Sequence, residues 1–251
     1  MSLLAKEPAS IAKVLDASFK LLKASFPKII GFGILIGLIS AGLSISGTLF
    51  TQGVGASGIE SSGLIVFFII LLIGFLFFFG LYAAMIYRID NVANQRDDSF
   101  GEAMGVAVRK FPVMLLAAFL YSIAVMLGMV LLVIPGLILT LSLFFYAYYI
   151  VLEDRSAYQS LKASHKLVWK DWWRTMGVFT VPGVLMLIVY FAFGMLMAYT
   201  GINENEINWV EVVMNLFTGL FTLYFYVLGY VQFHDLKLRK SGSDLEARMA
   251  E

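Results

Sequence analysis

Cysteine is missing from this chain altogether. That removes disulfides, thiol nucleophiles and thiolate metal sites from consideration. Histidine is nearly missing: His165 and His234 are the only two, and neither has a neighbouring nucleophile or a metal-ligand spacing. Charge is thin, at 14% of residues, where a soluble domain carries roughly a quarter. It is also unevenly placed. Residues 29–50, 63–87, 113–134, 137–152, 176–200 and 212–233 hold no Asp, Glu, Lys, Arg or His. Proton relays and ion-coupled transporters usually need such groups inside the bilayer. An intramembrane enzyme would need an acid–base constellation that these blocks do not supply.

What is present is hydrocarbon. The chain is 60% hydrophobic, with a mean hydropathy of +0.86. The six charge-free blocks approach the ~20 residues that cross a bilayer core, and the fourth, of roughly 16, is the shortest. They predict an all-α polytopic membrane protein, one integral domain over residues 1–251 with a cytoplasmic tail at 235–251. The first block follows a mostly polar or amphipathic stretch and is long enough to be a retained span rather than a cleaved leader.

The 18 Lys and Arg residues fall in alternate connections. Lys6 to Lys28 precede the first span, Arg88 to Lys110 separate the second from the third, Arg155 to Arg174 separate the fourth from the fifth, and Lys237 to Arg248 follow the sixth. The connections at 51–62 and 201–211 carry no base. Cytoplasmic loops hold the Lys/Arg excess, so the expected topology is multi-pass with both termini in the cytoplasm.

Three amphipathic segments register on serines. After Ser10, the apolar face takes Ile11, Val14, Leu15, Ser18, Phe19 and Leu22; after Ser99, Phe100, Ala103, Met104, Ala107, Val108 and Phe111. After Ser156 it takes Ala157, Ser160, Leu161, Ser164, His165 and Val168. The offsets trace one helical face, and serine is a good N-cap. Each segment is predicted to be a cytoplasmic amphipathic helix lying at the inner surface, its apolar face toward lipid or the bundle. The chain then reads as three copies of a helix-plus-hairpin unit, although any amphipathic helix produces such offsets.

Four local motifs are weaker. Gly53, Gly55 and Gly58 match a dinucleotide fingerprint in letters only; no strand precedes them, and a flexible outer loop is expected. Gly33, Gly37 and Ala41 form a ladder of small residues that lets helices approach closely, within the monomer rather than across a dimer. Pro135-Gly136 splits a long apolar run and is expected to form the outer hairpin turn, with a broken helix lining a cavity as the alternative. Thr140, Asn215, Thr218 and Thr222 are expected to cross-link helices.

The densest interfacial cluster precedes the fifth span. Lys162, Lys166, Trp169, Lys170, Trp172, Trp173 and Arg174 are the candidate lipid-headgroup contacts. Trp settles at headgroup level and Lys or Arg reach anionic phosphates. Anchoring and a specific lipid site use the same residues, so composition does not separate them.

The stretch IPGLILTLSLFFYAYYIVLEDRSAYQSLKASHKLVWKDWWRTMG, residues 134–177, resembles the YciC-type family of bacterial inner-membrane proteins. It is more loosely similar to the membrane domain attached to some glycerophosphoryl diester phosphodiesterases. Ile-Pro-Gly opening a span, Glu153-Asp154 at its acidic end, the Ser156–Ser164 segment and Trp169 carry the likeness, and residues 100–115 look like the preceding helix. The resemblance implies a bacterial inner-membrane location and a loose association with envelope integrity, and it offers no catalytic residue or cofactor. The expected function is non-enzymatic, in envelope or lipid homeostasis, through anionic phospholipid or a membrane-protein partner or second copy, without nucleic acid. The alternative is a transporter of a neutral or amphipathic solute, with a polar cavity near Pro135 or Pro182.

Overall fold

The computed structural model describes residues 4–57, 61–200 and 209–249, and they are helical almost throughout. In order these are α1 (Ile11–Ser57), α2 (Ser61–Ala93), α3 (Phe100–Leu131), α4 (Val133–Leu143), α5 (Tyr146–Glu153), α6 (Ala157–Val168), a 3-10 turn (Trp169–Asp171), α7 (Trp172–Thr200) and α8 (Trp209–Met249). Six stretches are long and apolar enough to cross a membrane. Of the expected outer connections, residues 58–60 and 201–208 lie outside the described residues, whereas 51–57, 61–62 and 209–211 are helical.

All three serines begin helices. Their carbonyls accept from Val14, Ala103 and Ser160, four residues on. Ser99 forms a full capping box with Glu102, and Ser156 caps without a side-chain bond. Buried residues recur at one register: Val14, Ser18 and Leu21 in α1, Ala103, Ala107 and Lys110 in α3, and Ser160, Ser164 and Leu167 in α6. The small side chains let each helix sit close to its neighbours.

The units differ in how the segment joins its span. Helices α1 and α3 run straight on through Pro27 and Pro112. Only the third segment is a separate element, set off by the 3-10 turn. Its serines face protein, packed against α3, α4 and α5.

The Pro135-Gly136 turn is displaced. The chain reverses at Leu132, which is extended at φ −164° and ψ 144°. Pro135 is the third residue of α4, in the first turn, where a missing N–H costs nothing. Gly136 serves close packing instead: an added Cβ would lie 2.5 Å from the Met129 sulfur and 2.8 Å from its backbone nitrogen.

The fourth span breaks at Phe144-Phe145, into α4 and α5. Ser164 repairs the break: its hydroxyl accepts from the Phe145 N–H at 3.0 Å and donates to the Ser142 carbonyl at 2.8 Å. No apolar side chain could satisfy both groups away from water. This span is the central one, with half of its most apolar window buried, against 6% for the span that contains α7.

Helices α1 and α8 make the most extensive packing in the molecule. Gly33 and Gly37 of α1 face Gly219 of α8, where an added Cβ would strike the Gly33 carbonyl and lie 2.5 Å from the Gly37 nitrogen. The ladder therefore closes an intramolecular crossing. Residues 53–57 are the last turns of α1 rather than a loop, since extending a helix is far easier than starting one; Gly58 lies outside the described residues. The tail at 235–251 is also continuous with its span: α8 runs on to Met249, with Asp235 and Leu236 buried.

Candidate functional site

The basic ends of the spans gather at one end of the bundle, and buried acids tie them together. Asp98, fully buried, accepts from Lys28 of α1 at 2.5 Å and Arg88 of α2 at 2.8 Å. It sits just after a turn in which Gln95 takes the left-handed φ of 55°. There the Arg96 N–H returns to the Asn91 carbonyl at 2.8 Å, closing α2 in the way glycine usually does. Lys110 reaches Asp154, itself left-handed at φ 56°. The Lys110 hydrogen bond holds the exposed Asp154 carboxyl below its ordinary value.

A third knot fixes the N-terminal segment. Asp235 accepts from the Ala9 N–H at 2.7 Å and from Arg239 at 2.9 Å, and forms an ion pair with Arg174 at 3.1 Å. Arg174 and Arg239 both donate to the Ala9 carbonyl, at 2.5 and 2.7 Å. Gln232 accepts from Arg174 at 3.2 Å and donates to Thr175 at 3.1 Å. Charged pairs inside low-dielectric surroundings hold only when each partner is satisfied, and the buried carboxylates of Asp98 and Asp235 each have at least two donors.

The seven residues singled out from sequence divide into two groups. Lys162 and Lys166 lie on the exposed face of α6, opposite its buried serines, and Lys170 follows in the 3-10 turn. Trp169 is exposed, with its ring 4.9 Å from His165. Trp173 is 80% exposed at the start of α7 and meets Trp172 edge-on. These five form an exposed rim. Trp172 turns inward instead, its indole N–H donating to the Ile138 carbonyl at 3.3 Å. Arg174 is taken up by the Ala9–Asp235 knot. Nothing in the local sequence reveals that, because its partners lie 58 to 165 residues away.

A cleft of about 510 Å³ opens beside the same knots, between the ends of α2, α5 and α8. Its charged walls are Asp90, Arg96, Glu153 and Lys237, with Tyr230 and His234. The acids are already matched: Arg96 pairs with Asp90, Lys237 with Glu153 at 2.6 Å, and the Tyr230 hydroxyl donates to Asp90 at 2.8 Å. His234 meets the Ala5 carbonyl at 3.0 Å. Sequence spacing hides this cleft, since Asp90 and Tyr230 are 140 residues apart. The arrangement joins helices and leaves no carboxylate poised without a base.

The expected polar cavity near Pro135 or Pro182 has a different outcome. Pro135 lies in the first turn of α4, and Pro182 lines an apolar groove with Val181, Leu185 and Phe221. Of the four residues expected to cross-link helices, Thr140, Asn215 and Thr222 donate to carbonyls of their own helices, and Thr218 does so while also meeting the Tyr190 hydroxyl of α7 at 2.6 Å.

No curated protein and no solved structure matches this chain. One family profile does, over residues 60–231, from just before α2 to the buried part of α8. Its six apolar helices are those of a multi-pass membrane protein, and with a match over more than half its length the chain belongs to an uncharacterised protein family, UPF0259.

Proposed function

We propose that this protein is a non-enzymatic component of the bacterial inner membrane that binds anionic phospholipid at its basic end, in envelope or lipid homeostasis. The resemblance to YciC-type proteins points the same way. The observation that carries the reading is the rim. Lys162, Lys166 and Lys170 are exposed at four-residue spacing and make no ion pair among the described residues, on the same stretch as the exposed rings of Trp169 and Trp173. Every base turned into the bundle already has an acid, whereas these three are left for a phosphate layer. The apolar lining at Pro182 favours this reading over a solute transporter.

The test is Lys162→Gln, Lys166→Gln and Lys170→Gln together, with Arg174 left alone because its loss would open the Ala9–Asp235 knot. Each base near an anionic surface contributes about 1 kcal/mol, screened by salt. Native mass spectrometry should show less retained phosphatidylglycerol in the triple variant, with the difference shrinking as salt rises. Equal retention would reduce the rim to plain anchoring. The orientation, basic end toward the cytoplasm, rests on the Lys/Arg asymmetry. In a chain without cysteine, Ser57→Cys should be labelled only from the outer side; labelling from the cytoplasm alone would reverse the topology.

A further inference from the structure

Helix α7 is fastened to α8 at two polar points with an apolar gap between them. At the basic end, Thr175 and Arg174 bond to Gln232. Farther along, the Tyr190 hydroxyl and Thr218 are 2.6 Å apart. Between these points α7 stands off, and a groove of about 490 Å³ opens against α1 and α8, walled by Phe19, Leu22, Pro182, Leu185, Phe221 and Tyr224. A smaller hollow of about 260 Å³ adjoins it, sharing Phe19 and Leu22 and adding Lys23, Phe26 and Pro27. Lys23 is exposed and makes no ion pair among the described residues, unlike neighbouring Lys20, which pairs with Asp16 at 2.7 Å.

We propose that this groove seats one acyl chain of an anionic phospholipid, with the phosphate at Lys23. The inference rests on the lipid-binding reading above and gives it a second, chain-recognising site. Size argues for a chain rather than a helix. The two fastenings are about 22 Å apart along α7, and a helix ~10 Å across would fill about 1,700 Å³ over that length. The groove holds less than a third of that volume. Its walls are apolar, and one base without an ion pair among the described residues lines the adjoining hollow. An uncharged hydrocarbon would satisfy the walls and leave Lys23 without a partner.

The purified protein is incubated with phosphatidylglycerol, or with phosphatidylcholine bearing the same chains, and retained lipids are counted by native mass spectrometry. Leu185→Trp, at a half-exposed position, fills the groove and should remove the most tightly held lipid of either headgroup. Lys23→Gln should leave chain binding in place and cut the preference for phosphatidylglycerol about fivefold, the equivalent of one base at an anionic surface. Val108→Trp, in the separate groove between α2 and α3, is the control and should lose nothing. The rim triple variant should keep the groove lipid. If Leu185→Trp retains lipid while the rim variant loses it, the groove proposal fails and the lipid-binding function stands. If no variant loses lipid, both fail. A change in oligomeric mass without lipid loss would assign the groove to a second copy and overturn the proposal. Lys23→Gln lies on an exposed surface, and an unchanged headgroup preference there overturns the phosphate assignment even if Leu185→Trp does not fold.

Discussion

The two ends of the bundle are built on different terms. At the basic end, α1, α2, α3, α5, α6 and α8 enclose a continuous core that includes Leu21, Met85, Ala103, Ile150, Val168 and Phe233. Asp98 and Asp235 are buried within it among arginines and lysine. Toward the other end, Ile65, Phe68 and Leu72 of α2 and Leu187, Phe191 and Met195 of α7 face outward. The difference follows from the solvent. In lipid an apolar side chain gains little by turning inward, so shape and polar bonds must specify which helices meet. The charged end supplies both, and the far end needs only to be hydrocarbon.

The comparison breaks most severely at Asp98. Asp98→Ala would strand Arg88 and Lys28 beside a buried site, a change on the order of 3–5 kcal/mol when a buried pair loses one partner. Thermal unfolding in detergent should show a large loss, and a small one would mean that the knot is solvated. Next is the crossing of α1 and α8. Gly219→Ala forces a Cβ onto Gly33 and Gly37, so overpacking should cost toward the upper end of about 1–3 kcal/mol, by the same measurement.

A smaller effect is expected at Asp154. Its carboxyl is held below its ordinary value by Lys110, so the folded state binds a proton less readily than the unfolded chain. The contribution is present above the unfolded pKa, near pH 4, and is lost as pH falls through the lowered value. Asp154→Asn keeps a residue suited to the left-handed backbone and should flatten the acid limb of a stability–pH profile; an unchanged limb would exclude the pair as its source. The smallest change belongs to the bare face of α7. Leu187→Ala, at a site 67% exposed, should alter stability by no more than about 0.5 kcal/mol. A larger loss would show that something covers this face, and would erase the contrast between the ends.

Several of these features can be read along the chain. Ser10, Ser99 and Ser156 announce helix starts because capping is local chemistry. Gly33 and Gly37 announce a close crossing because four-residue spacing places them on one face, although the partner Gly219 is distant in sequence. The break at Phe144-Phe145 is different. Nothing between residues 137 and 152 interrupts the apolar run, and the interruption is stabilised by Ser164 from another helix. That same serine makes the third amphipathic segment look poor by hydropathy alone. Pro135 misleads for a related reason: a proline forbids an interior position but is equally at home in a first turn, so it leaves the reversal at Leu132 unspecified.

Composition and periodicity alone decide that the chain is helical and membrane-spanning, because a bilayer accepts only backbones whose polar groups are all satisfied, and apolar runs of ~20 residues achieve this as helices. They also decide the pattern of basic and base-free connections. The tertiary structure alone decides which bases remain available to a ligand. Arg174 and Lys170 are near neighbours in one cluster, yet one is bound by Ala9, Gln232 and Asp235 while the other stays on the exposed rim. That outcome depends on where α8 and the N-terminal segment come to lie, and long-range packing carries no local signature.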